Sequence, residues 1–348
     1  MGIIKINNRK IGTGHPVYIV AEMSANHNQD YDTAVKIIQA AREAGADAIK
    51  LQTYTPDTMT LDCDNDYFRI KGTIWDGKTL YQLYQEAYTP WEWHPRLQKT
   101  ANDLGLDFFS TPFDSSAVDF LEEMNVPVYK VASFELVDLP LLKKIGATGK
   151  PVIMSTGMAS LAEIDEAVTT LRKAGSNEIA LLKCTSAYPA RPSTMNLKTI
   201  PHLAATFAVA TGLSDHTTST AAPIAAVVLE ACIIEKHLTL DRKTGGTDSK
   251  FSLEPHEFKT MIRAIRDVEQ AVGDISYTRP QQEDANRIFR RSLFATENID
   301  KGEIFTSNNT RSIRPGHGLA PRYLDIVLGK RAIRKIKKGT PLSWNQIA

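Results

Sequence analysis

The sequence predicts a (β/α)8 barrel followed by a small β-rich domain, and three observations carry that reading. A short apolar run, a polar end and an amphipathic helix recur eight times over the first 275 residues, as a closed parallel sheet requires. Each run ends in polar or charged residues, where such barrels carry their chemistry. After a break at Gly273–Asp284, short β-like runs alternate with Gly and Pro turns.

The candidate strands are Val17–Glu22, Ala48–Gln52, Asp107–Thr111, Val128–Ser133, Val152–Thr156, Ile179–Ser186, Phe207–His216 and Cys232–His237. Between them, helices are predicted where apolar residues recur every three or four positions. Ala34, Ile37, Ile38 and Ala41 mark Tyr31–Ala44, and Ile164, Ala167, Val168 and Leu171 mark Leu161–Ala174. Phe258, Met261, Ile262, Ile265 and Val268 mark Pro255–Val272. One spacing is irregular: an insertion at Asp62–Tyr88 carries Tyr67, Phe68, Trp75, Tyr81, Tyr84 and Tyr88. It reads either as a satellite hydrophobic cluster or as a rim over the barrel mouth. The expected layout is a barrel over residues 1–275, a linker over 276–290 and a small domain over 291–348. That last domain is expected to carry little core of its own.

Composition narrows the function. Lys plus Arg is 41 against 40 for Asp plus Glu, which disfavours a nucleic-acid or membrane-surface protein. Cys63, Cys184 and Cys232 have no metal-ribbon spacing and fit reduced thiols in a cytoplasm. The N-terminus, Met1–Lys10, lacks the apolar run of a secretory signal.

The strand ends then suggest a site. His216 and His237 close neighbouring strands about 4.8 Å apart, so their imidazoles can share one ion with positions left open for substrate. Nitrogen and oxygen donors allow Mn, Zn, Fe or Co. Lys50 and Lys130 end apolar runs and are ringed by Thr111, Ser133, Ser155 and Ser214. Buried ammonium groups need an anion, and this set suits a phosphate and a carboxylate on one small ligand. Glu22 ends the first strand and is read as a proton-transfer group or as an ion-pair partner of Lys50. Gln52 and Glu235 share the faces of Lys50 and His237. Lys183 and Lys236 fall off the inward alternation.

Taken in order, several segments resemble the sialic acid synthase family, the N-acetylneuraminate synthases. They are Ile-Val-Ala-Glu-Met-Ser-Ala-Asn-His-Asn (19–28), Ala-Gly-Ala-Asp-Ala-Ile-Lys-Leu-Gln-Thr (44–53), Tyr-Lys-Val-Ala-Ser-Phe-Glu (129–135) and Ser-Thr-Gly-Met (155–158). Lys-Cys-Thr-Ser-Ala-Tyr-Pro (183–189), Gly-Leu-Ser-Asp-His-Thr (212–217) and Glu-Lys-His-Leu-Thr-Leu-Asp (235–241) continue the likeness. The tail, with Arg-Arg-Ser-Leu (290–293) and Arg-Pro-Gly-His-Gly (314–318), is similar to the antifreeze-like SAF domain.

That resemblance implies a condensation of phosphoenolpyruvate with an N-acetylated sugar. Lys50, Thr111, Lys130, Ser133, Ser155, Ser186 and Ser214 would meet phosphoenolpyruvate. His216 and His237 would hold a divalent metal, commonly Mn2+, with Mg2+ or Co2+ as alternatives. Glu22, Gln52, Tyr188 and Asp248 would face the sugar, with Glu135 and Glu235 also in the substrate-binding set. Glu22, Lys50 and His237 would be catalytic. The family further implies a domain-swapped homodimer in which Arg314 enters the partner's barrel and touches an acetamido group. Met23-Ser24-Ala25 after the first-strand Glu resembles the pseudaminic acid synthase branch, whose substrate is a 2,4-diacetamido-2,4,6-trideoxy-L-altrose and whose product feeds surface glycans such as those of flagellin. N-acetylneuraminate and legionaminate synthases are the alternatives within the family. Outside it stand a metal-dependent barrel hydrolase, whose early His-x-His is absent with His27 isolated, and a carbohydrate- or ice-binding protein without catalysis.

Overall fold

A computed structural model describes residues 2–278 and 280–348; Met1, and Arg279 within the predicted linker, lie outside the described residues. The chain forms two compact units, Met1–Gly273 and Asp274–Ala348. The first opens with an antiparallel hairpin of β1 (Ile4–Ile6) and β2 (Arg9–Ile11). Eight parallel strands follow: β3 (Tyr18–Glu22), β4 (Ala48–Thr53), β5 (Asp107–Pro112), β6 (Tyr129–Val131), β7 (Val152–Ser155), β8 (Ile179–Cys184), β9 (Ala210–Asp215) and β10 (Ile233–His237). They close in sequence order, with β10 pairing back onto β3. All eight predicted strands are present: β4 and β5 run one residue further than predicted and the other six are shorter.

The three predicted helices occupy Tyr31–Ala44, Leu161–Ala174 and Pro255–Val272, as their periodicity requires. Their ends follow from local chemistry. The Asp30 carboxylate accepts from the Thr33 amide, Ser160 and Glu163 form a reciprocal capping box, and Gly45 ends the first helix at φ 95°. Their apolar faces pack against the outward residues of the strands, such as Ile19, Ile49 and Leu51, in one continuous core.

Inside the barrel, alternation sets the layers. Val20, Ala48, Phe109, Val128, Ile153, Leu182 and Ile233 fill the lower interior, and Ile4, Ile6 and Ile11 of the hairpin plug it from below. Gly212 belongs to this layer because an added Cβ would come within 2.2 Å of the Ile233 carbonyl oxygen. One inward step further along the strands stand Glu22, Lys50, Thr111, Lys130, Ser155, Cys184, Ser214 and Glu235, all buried. The interior thus turns from apolar to polar within two residues, roughly 6.6 Å of strand rise. Lys183 and Lys236 lie off this alternation, as expected. Lys236 is fully buried on the other face, where it pairs with Asp215 at 2.5 Å.

The second unit pairs β11 (Ser292–Ala295) with β12 (Thr310–Ile313). Contrary to the expectation of a minimal core, Leu293, Ile299, Phe305, Val327, Ile336 and Leu342 form a buried cluster within it. These residues are scattered through turns, so no periodic run announces them. No helix among the described residues is long and apolar enough to cross a membrane.

Candidate active site

Strand register builds the site. Parallel pairing sets Glu22 beside Lys50 on one side and beside His237 on the other, and Gln52 beside Thr111. Around the ring, Ser214 aligns with both Cys184 and Glu235. These side chains open into a cavity of about 520 Å3 at the carboxyl ends of the strands. Of the predicted residues, Glu22, Lys50, Gln52, Thr111, Lys130, Ser133, Glu135, Ser155, Tyr188, Ser214, His216, Glu235, His237 and Asp248 line it. Ser186 sits just behind, its Oγ 3.9 Å from Cys184 Sγ. Arg314 belongs to the second unit, where it is exposed.

The two lysines have different surroundings. Lys50 pairs with the Glu22 carboxylate, lies 3.7 Å from Glu235 Oε1 and donates to Thr111 Oγ1 at 3.3 Å. Burial works against its charge, but Glu22 and Glu235 raise its pKa above the ordinary lysine value. Lys130 has only neutral oxygens in contact: its Nζ donates to Ser155 Oγ at 2.7 Å and to the Val131 carbonyl at 2.9 Å. Burial, and then Lys50, push its pKa down against the pull of Glu235. An ammonium 2% exposed and held only by neutral acceptors is a site waiting for an anion. Ser133 Oγ accepts from the Gly157 amide at 3.0 Å. A Cβ on Gly157 would stand 2.2 Å from Ser186 Oγ and 2.7 Å from Ser133 Oγ, so glycine there lets the backbone meet both hydroxyls.

Glu22, Glu135 and Asp248 are tuned upward, whereas Glu235, against its burial, is held below the ordinary carboxylate value by Lys130 and Lys50. Burial, opposed by Lys50, brings Glu22 to about 7, and Gln52 donates to its Oε1 at 3.2 Å. Glu22 is the ion-pair partner of Lys50 and a carboxyl of near-neutral pKa. Burial likewise raises Glu135 to about 7, and its Oε2 is buried with no hydrogen-bond partner. Asp248, raised by burial, accepts from the Ser24 hydroxyl.

The histidine rings lie 5.3 Å apart between centroids. Nδ1 of His216 faces the Thr185 carbonyl at 3.1 Å, which directs its Nε2 lone pair elsewhere. His237 Nδ1 and Glu235 Oε2 are buried without a partner. Burial first, and then His216 and Lys50, push His237 well below the ordinary imidazole value, so it is neutral. The neutral His237 ring with its orphaned nitrogen, the neighbouring His216 ring and an orphaned carboxylate oxygen fit a divalent cation. Among the described residues, no group of three or more His, Cys, Asp or Glu gathers closely enough to hold one alone, so substrate or water would complete the set.

Sequence reasoning missed Cys184 and Phe251, which also line the cavity. Cys184 lies 3.9 Å from His216 Nδ1; burial opposes its ionisation, but His216 and then Ser133 and Lys130 bring the thiol down to about 7. Its inward position at a strand end was the available signal. Tyr188 packs 4.6 Å from His216 and 5.1 Å from Phe251. The insertion also forms part of the rim. Trp75 donates to the Thr247 carbonyl at 3.0 Å and lies 5.7 Å from Tyr188, while Tyr67 is 92% exposed and joins no cluster. His27, the isolated histidine, is structural: its Nε2 meets Thr89 Oγ1 at 3.0 Å.

An eight-stranded parallel barrel with a polar, ligand-ready cavity at its strand ends defines a barrel enzyme, here joined to a small β-rich domain. A profile of the NeuB family matches residues 37–277, and one of the SAF domain matches residues 290–348. The chain belongs to the NeuB family, that of the sialic acid synthases. It is 45% identical over 333 residues to the pseudaminic acid synthase of Helicobacter pylori, covering 95% of this chain and 98% of that protein. It is 39% identical to the N,N'-diacetyllegionaminic acid synthase of Campylobacter jejuni, over 92% of this chain and 97% of that one. Among solved structures, the N-acetylneuraminic acid synthetase of Leptospira borgpetersenii, in complex with citrate, superposes with a TM-score of 0.73 at 31% identity. That match covers 82% of this chain and 94% of the other.

Proposed function

We propose that the chain is a pseudaminic acid synthase, condensing phosphoenolpyruvate with 2,4-diacetamido-2,4,6-trideoxy-β-L-altrose to give pseudaminic acid and phosphate. The observation that carries the reading is Lys130, a buried ammonium on neutral partners beside the Ser133, Ser155 and Gly157 cradle. Phosphoenolpyruvate offers what that cradle lacks, with a phosphate and a carboxylate on a three-carbon frame. Lys50, Thr111, Ser186 and Ser214 complete its binding set. Gln52, Glu135, Tyr188, Glu235 and Asp248 bind the sugar.

His216 and His237 would hold a divalent metal, Mn2+ before Mg2+ or Co2+, which when bound supplies a Lewis acid for the sugar's C1 aldehyde. The protein's own groups do the rest. Lys50 and Lys130 fix phosphoenolpyruvate so that C3 is presented to C1, converting an encounter into a positioned reaction. As the C3–C1 bond forms, the C1 carbonyl π bond breaks onto its oxygen, which takes a proton to become a hydroxyl, while C2 becomes electron-poor and water adds there. Glu22, with a pKa near neutrality, accepts the proton of that water at its carboxylate. The C2–O bond to phosphate then breaks, the phosphate leaves with the bridging oxygen, and the C2 hydroxyl collapses to the ketone. Arg314 from a second copy, in a domain-swapped homodimer, would reach an acetamido group. The setting is the cytoplasm and the product is destined for surface glycans such as those on flagellin.

The test offers phosphoenolpyruvate, a divalent metal and either the diacetamido-trideoxy altrose or N-acetylmannosamine, and follows phosphate release. Release with the former and little with the latter is expected. Consumption of N-acetylmannosamine instead would move the chain to the N-acetylneuraminate branch, and no release at all would end the reading.

A further inference from the structure

The cavity has two unlike sides. Its strand-end side carries the lysines, carboxyl groups and histidines, while the segment leaving β4 supplies an apolar wall of Met59, Ile70, Leu80 and Leu83. Because this segment starts from the carboxyl end of β4, it stands over the mouth, and Trp75 ties it to the loop after β10 through the Thr247 carbonyl. The Trp75 N–H is consumed in that bond. The hydroxyls this segment contributes to the lining are those of Thr73 and, next to Leu83, Tyr84. Leu83 is buried, and Met59, Ile70 and Leu80 are half-buried; all four line the cavity.

We infer that this wall is the subsite for the deoxygenated end of the sugar and that Ile70 and Leu80 are specificity-determining residues which favour a C6 methyl over a C6 hydroxymethyl. The inference rests on the condensation proposed above. The aldehyde carbon must lie at the strand ends to meet C3 of phosphoenolpyruvate, so the other end of the chain points to the mouth. A methyl group there gains from leaving water. A hydroxyl there loses its water and finds aliphatic carbon, an unpaired burial that binding cannot recover. Apolar pockets reject an added hydroxyl by about 100-fold, so this is the discrimination to expect.

The experiment measures kcat/KM for 2,4-diacetamido-2,4,6-trideoxy-L-altrose and for its 6-hydroxy counterpart, in the full chain and in Ile70→Ser and Leu80→Ser. The full chain is expected to prefer the deoxy sugar by about 100-fold. Each variant should narrow that ratio by about tenfold through KM for the sugar, leaving KM for phosphoenolpyruvate unchanged. Both positions are partly exposed, so the variants should fold; circular dichroism checks this. Turnover of both sugars at similar efficiency, or an unchanged ratio in both variants, would overturn the subsite while leaving the condensation standing. Phosphate release with neither sugar would end both, and that outcome is distinct from a lost preference.

Discussion

Acid should unfold the barrel through two histidines that the chemistry does not use. His27 and His94 are fully buried, and burial pushes each from about 6.5 in the unfolded chain to about 4. For His27 the bonding also requires the neutral ring, while His94 is kept neutral by its burial. His27 Nδ1 accepts from the Gln29 amide at 3.1 Å, and His94 holds the Pro90 carbonyl through Nδ1 while Nε2 meets Thr53 Oγ1 at 2.9 Å. For a base whose folded pKa is depressed, the unfolded chain binds more protons between the two values. Stability is therefore complete above about pH 6.5 and falls as the pH drops toward about 4. At 1.36 kcal/mol per unit, a shift of about 2.5 units is worth roughly 3 kcal/mol for each histidine. The two together approach half or more of a typical domain stability of about 5–15 kcal/mol. Urea unfolding at pH 7, 6, 5 and 4.5 in the native chain and in His94→Asn reads this directly. The variant should be less stable at pH 7 yet lose roughly 2.5 kcal/mol less between pH 7 and 4.5. Parallel profiles for the two proteins would refute the assignment.

Four further outcomes follow from the site. Lys130→Met should raise KM for phosphoenolpyruvate by at least about 30-fold, the effect of truncating a buried charge partner, with unchanged circular dichroism; an unchanged KM would remove Lys130 from the anion site. Gly157→Ala, whose Cβ would crowd Ser133 and Ser186, should also weaken phosphoenolpyruvate binding and leave sugar KM alone, as steady-state kinetics would show. Glu22→Gln should retain metal, measured by equilibrium dialysis, and lose turnover; a normal rate would take Glu22 out of the mechanism. Lys236→Met strands the buried Asp215 carboxylate and should destabilise the barrel by about 3–5 kcal/mol in denaturant titration.

The barrel was legible because each strand couples an apolar run to a polar end, and the same alternation that fills the core lifts Glu22, Lys50 and Lys130 into the cavity. Residues at strand ends were therefore placed well. What depends on loops was not. Ile3-Ile4-Lys5-Ile6 is too short and too broken by Lys, Asn and Arg before Ile11 to read as a run, so the plug under the barrel went unseen. The insertion announced aromatic residues but not which would turn inward: Trp75 latches the rim, while Tyr67 is exposed. The core of the second unit is assembled from single residues separated by turns, and only the resemblance of its motifs pointed to an SAF domain. Cys184 was read only as a reduced thiol, because composition says nothing of position.

A crystal of the chain soaked with phosphoenolpyruvate and Mn2+ tests the anion site most directly. The phosphate and carboxylate should lie within hydrogen-bonding distance of Lys130 Nζ, Lys50 Nζ and the hydroxyls of Ser133 and Ser155. Density for the ligand on the outer wall, or in the cavity with both ammonium groups left on their present partners, would contradict the account.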